Sequence, residues 1–245
     1  MILPRAAVSL RPVRRATCQP RAVSRKTQRS QRRRPIAVVR RPTGAPLTPA
    51  QRRAVDRCRG LPQVVDPLEA ELTVSSAVSD VVADEAFWAG VIEHAVSLPS
   101  RRNDRLLRVL AAALTGRPRE WAARAVPALG PVLTTGGAWI CDRSLDAGYL
   151  ALLCTYRFAE EHAMVFLIDE LTGGVVRKAF VTRDVEVTRL RLAEQGPLTR
   201  MGAEAAHWLL AKSYDRLDRT PDFRVDEDVR QTRLLADRRI ALAFG

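Results

Sequence analysis

Seven arginines in three tight groups, Arg32-Arg33-Arg34, Arg40-Arg41 and Arg52-Arg53, are the residues whose type and spacing point most directly to a chemistry. Guanidinium groups so crowded attract phosphate oxygens and displace the counterions around them. No aromatic residue precedes Phe87, so the segment has no platform on which bases could stack, and it is suited to a phosphate backbone rather than a base sequence. Nucleic acid or another polyanion is therefore the expected partner, held by Arg32, Arg33, Arg34, Arg40, Arg41, Arg52 and Arg53. The same composition also fits a solubilising tail, or a translation start placed too far upstream.

The remaining candidates are few. The chain has no nucleophile elbow, phosphate-binding glycine loop, H-E-x-x-H pair or dinucleotide fingerprint. Cys18, Cys58, Cys141 and Cys154 are too widely spaced for a zinc site or a disulfide framework. No catalytic residue, metal or cofactor is assigned, and the sequence points away from an enzyme. Of the three histidines, His94 falls on the apolar stripe of a helix and His207 adjoins Trp208. His162 and Asp169 are seven residues apart on one strand, hence on opposite faces and about 23 Å apart at the extended rise. Pairing Phe158 with His162 and Asp169 with Val175 would gather Leu152, Tyr156, Phe166, Val176, Lys178 and Phe180 on one sheet face. Lys178 then interrupts an apolar surface, either as an edge residue whose stem runs to water or as a desolvated amine. An alternative ligand site beside the strands would use Lys178 and Arg177, with Tyr156 or Trp139 as a wall. A one-residue bulge would reverse these faces.

The elements that must position these residues follow from charge and periodicity. The first 60 residues hold 17 Lys and Arg against one acid, a net +16, and the rest hold 23 against 26, a net −3. Seven prolines fall before Ala50. Such a segment cannot bury enough apolar surface to offset its ordering entropy, so residues 1–47 are expected to form a disordered Arg/Pro-rich arm. Residues 48–245 are expected to form a single α+β domain, with helices packed around a small three-stranded antiparallel meander. Helix starts are marked at Thr48, Asp66, Asp84 and Ser100, the second running to about Val82. A shorter helix with Trp121, Ala125 and Val126 is expected to precede a proline- and glycine-rich loop, both falling partly in the charge-free run from Ala125 to Cys141. Alternation over 149–158, a doubly apolar run over 162–168 and a further run over 175–181 read as the three strands. Helices are then expected over 184–195, 199–218 and 226–243, the last with Arg238 and Arg239 near its end, favourable to the helix dipole. The longest charge-free run is broken by prolines and glycines and does not read as a membrane span. The acid-poor start shares features with an organellar transit peptide, although its prolines oppose the helix that import requires. A reducing, cytoplasmic compartment fits the cysteine usage.

Two segments, Asp66-Pro67-Leu68-Glu69-Ala70-Glu71-Leu72 and the hairpin from His162 through Asp169 and the Gly173-Gly174 pair to Val181, resemble the signatures of an uncharacterised family of bacterial proteins from high-GC genomes. The family's hairpin reads Asp-His before the glycines and Lys-Asp after them, where this chain has Asp169-Glu170 and Arg177-Lys178. The resemblance implies no activity. Three functions stay open on the sequence: a non-enzymatic protein binding nucleic acid or another polyanion through its arm, an enzyme or small-ligand domain with a site beside the meander, and a domain for binding a protein partner.

Overall fold

The computed structural model describes residues 46–58, 66–126, 132–220 and 223–244, all within one compact unit. Thr48 opens the first helix, α1 (Pro49–Cys58), through a reciprocal capping box: its hydroxyl accepts from the Gln51 amide at 3.2 Å while its own amide donates to Gln51 Oε1 at 2.9 Å. Leu47, expected in the arm, packs partly buried against the helical core. Asp66 caps α2 (Pro67–Ala77), Asp84 caps α3 (Glu85–Ser97) and Ser100 caps α4 (Arg101–Ala113), each accepting a backbone N–H in the first turn. The second helix stops at Ala77, short of the Val82 expected, where the Ser79 hydroxyl donates to the Ser76 carbonyl at 3.1 Å. A short α5 (Gly116–Arg124) completes the helical half.

The sheet has five strands, not three. β1 (Thr134–Arg143) lies in the stretch expected as loop, followed by β2 (Tyr149–Arg157), β3 (Glu161–Asp169) and β4 (Val175–Thr182). After α6 (Val185–Gln195) comes β5 (Leu198–Met201), so the helix expected from Thr199 begins later, as α7 (Ala203–Asp218), and α8 (Glu227–Phe244) closes the fold. The order is β4-β3-β2-β1-β5, with every pairing antiparallel. The glycines that made β1 unreadable are there for packing. Its register shifts between Thr135 and Ala138, the Thr155 hydroxyl accepts from the Gly137 amide at 2.8 Å, and a methyl at Gly136 would collide with that same hydroxyl.

Three cores result. Leu152, Tyr156, Phe166 and Ile168 face α7 and α8 across one side of the sheet, while Ala151, Leu153 and Val165 face α6 on the other. The third core lies among α1 to α5. α2 belongs to two of them, with Leu68 against the sheet-side core and Ala70, Val74 and Ala77 in the helical one.

Candidate functional site

Arg52 and Arg53 stand exposed on α1; Arg32, Arg33, Arg34, Arg40 and Arg41 lie outside the described residues. The residues expected to form a ligand site beside the meander are not brought together. Tyr156 is fully buried on the helix-facing side, Trp139 packs on the opposite side, and Arg177 is engaged by Asp169 at 2.8 Å. Lys178 is exposed and pairs with Leu167, so it does not interrupt the core face. The cause is a bulge: the β3–β4 register slips between Leu167 and Ile168, which turns Lys178 and Phe180 outward and puts Ala179 inward. The pairing expected for His162 also moves, from Phe158 to Tyr156, a two-residue shift that keeps parity, while Asp169 pairs with Val175 as expected. Asp169 serves the turn, accepting from the amides of Leu171 at 3.0 Å and Thr172 at 3.2 Å.

What the fold does assemble is a buried ionic cluster where α2 meets α8 and the sheet. Glu71, only 1% exposed, pairs with Arg239 at 2.7 Å and with Arg238. Arg239 is wholly buried, and its Nη2 sits 3.2 Å from Nε2 of His162. A guanidinium only donates, so this nitrogen accepts and the imidazole is neutral. Burial, reinforced by the Arg239 charge, pushes His162 down to about 4. Burial, with the neighbouring Arg239 charge, draws Arg238 down to about 9, and burial draws Arg239 down to about 10 against a smaller opposing effect of Tyr156, so both are cationic at neutral pH. The arginines also cover aromatic faces, Arg238 over Phe158 at 5.6 Å and Arg239 over Tyr156 at 5.3 Å. Tyr156 continues the network: its hydroxyl lies 2.8 Å from Nε2 of His207, whose Nδ1 is 2.6 Å from the Ala203 carbonyl. Nδ1–H donates to that carbonyl, which leaves Nε2 to accept from the tyrosine. His207 is thus a core residue, and Arg238 and Arg239 are ion partners rather than helix-end charges.

Above the cluster a cleft of about 140 Å³ is lined by Asp66, Phe158, Glu160, His162 and Arg183. Arg183 binds Asp66 at 2.5 Å, Glu160 at 3.3 Å and Glu69 at 3.4 Å. Burial raises the Asp66 carboxyl, but the Arg183 and Leu68 hydrogen bonds outweigh it and hold the group below its ordinary range. Residues of the segments 66–72 and 162–181 line it together. The acceptor nitrogen of His162 is already engaged by Arg239, so it is not available as a general base. The cleft is also smaller than the roughly 300–1,000 Å³ of ordinary ligand pockets. A larger cleft, of about 460 Å³, lies between α1, α3 and α4 and is walled by Val55, Cys58, Leu98 and a half-buried His94, which is therefore not the core residue its spacing suggested.

Among the described residues no group of three or more His, Cys, Asp or Glu is placed to hold a metal, and no helix is long and apolar enough to cross a membrane. Cys58, Cys141 and Cys154 are free and buried, and burial raises their thiols, to about 11 for Cys58 and about 12 for Cys154. Comparison with models of protein families, with curated proteins and with solved structures found no match to this chain.

Proposed function

We propose that the chain is a non-enzymatic binding protein that holds nucleic acid or another polyanion through its arginine-rich N-terminal segment. The observation that carries this reading is the division of charge, +16 in the first 60 residues against −3 in the rest. Arg52 and Arg53 support it, since both are exposed on α1 and neither has a carboxylate ion pair among the described residues. The buried cluster is consistent with that reading, because Glu71 pairs with Arg238 and Arg239, and His162 with Arg239, beneath the surface.

The test is retention of duplex DNA or RNA across a salt series. With about 6–10 phosphates neutralised, affinity should fall roughly 10³–10⁵-fold between about 50 and 200 mM salt, with little dependence on base sequence. Replacing Arg32, Arg33, Arg34, Arg40 and Arg41 together by Ala should remove most of that retention. Equal retention in the substituted chain would defeat the reading.

A further inference from the structure

We infer that the folded body carries a phosphate-contacting surface of its own, the solvent face of α4, against which duplex nucleic acid lies; the inference rests on the polyanion reading above.

Four of the first eight residues of α4, Arg101, Arg102, Arg105 and Arg108, are arginine, against one acid, Asp104. The spacing of Arg101, Arg105 and Arg108 places them on one stripe of the helix, about 10 Å long at 1.5 Å per residue. Arg101, Arg102 and Arg108 are exposed, and none of them has an ion pair among the described residues. Elsewhere on the body Arg143, Arg177, Arg183, Arg189, Arg230 and Arg233 each hold a carboxylate. Arg157, Arg191, Arg200 and Arg216 are exposed without an ion pair among the described residues, but each is the one such arginine on its element, whereas α4 carries three.

Their position also runs against local stability. Arginine in the first turn of a helix opposes the positive end of the helix dipole, yet α4 begins with two, and α1 and α5 have no acid in their first turns while carrying Arg52, Arg117 and Arg119. In α4 the single acid of the first turn, Asp104, offsets only part of that charge. Such N-termini favour anions through both the dipole and the side chains.

Nucleic acid is favoured over an anionic membrane by what lies on the other side of the helix. Membrane-surface helices insert their apolar face into lipid. Here Leu106, Leu107 and Leu110 are already buried in the helical core, leaving a face with charge and nothing to insert.

The experiment uses the full chain and a mixed-sequence duplex of about 20 base pairs, with binding followed by fluorescence anisotropy against salt. Variants are Arg101→Ala/Arg102→Ala/Arg108→Ala, the same three sites changed to Lys, and the five-site alanine variant of Arg32, Arg33, Arg34, Arg40 and Arg41. The expected result is a salt slope shallower by about 3 in the α4 alanine variant, one for each lost phosphate contact, and recovered in the Lys variant, which keeps the charge. Recovery with Lys also separates lost contacts from a disturbed fold. An unchanged slope in the α4 alanine variant, beside a reduced slope in the five-site variant, overturns this inference and leaves the polyanion reading standing. No salt-dependent binding by the parent chain overturns both. Loss of binding to phosphatidylglycerol vesicles with an unchanged DNA slope would assign the face to a membrane and overturn it as well.

Discussion

Arg239 is a permanent donor, so the imidazole 3.2 Å from it is stable in the fold only while neutral. His162 is held at about 4, below the ordinary imidazole value near 6.5. As pH falls, the unfolded chain takes up the proton first. The stability contributed by the neutral ring is complete above about pH 6.5 and is lost progressively towards pH 4, at most about 3 kcal/mol for this one group. His162→Gln keeps a neutral acceptor for Arg239 and removes the titration. Urea unfolding of parent and variant between pH 7 and 4 should show the parent losing more stability, by up to that amount. Parallel pH profiles would show that the ring is not held as described. None of this was legible locally. Glu71 sits in a helix-start motif and reads as an ordinary carboxylate, while its partners Arg238 and Arg239 come near the end of the chain, where arginine reads as dipole compensation. A pattern within one helix cannot reveal that its charge is neutralised by another.

At the scale of the element, periodicity was readable where strands alternate and unreadable where geometry breaks the period. The strands at 149–157, 161–169 and 175–182 have clear apolar patterns. β1 was hidden by the glycines that admit Thr155, and β5 by being four residues long with a helix close behind. The bulge in β4 was foreseeable only as a condition, and it decides the role of Lys178. Because the side chain is exposed on the outer face, Lys178→Met should change stability by no more than about 0.5 kcal/mol in denaturant unfolding. A loss of several kcal/mol would mean that the amine has a buried role. The hairpin turn should be far less tolerant. Gly174 has φ +79°, and a methyl there would meet the Arg216 guanidinium. Gly174→Ala is expected to cost about 1–3 kcal/mol, checked by the same measurement. Gly173, at φ +87° with open space around its Cβ position, isolates the backbone part of that cost.

The whole molecule depends on α2, which lines the helical core on one side and the sheet-side core on the other. Two polar ties fix it to α8: the Glu71 pairing, and the Leu234 amide donating to the Ser75 hydroxyl at 3.2 Å. Two guanidiniums share one buried carboxylate, so removing Glu71 leaves both without a counter-charge. Breaking a buried pair from one side typically costs about 3–5 kcal/mol, whereas replacing all its members by apolar groups is often neutral or stabilising. Glu71→Ala should therefore lose about that amount, and adding Arg238→Met and Arg239→Met should restore most of it. Hydrogen exchange adds the location: protection should fall more in β3 and α8, which adjoin the cluster, than in α4, whose core contains none of it. An equal fall in α4 and β3 would show that the two cores open as one unit. A triple variant no more stable than Glu71→Ala would show that Arg238 and Arg239 stabilise the junction by packing on Phe158 and Tyr156 rather than by answering the charge of Glu71.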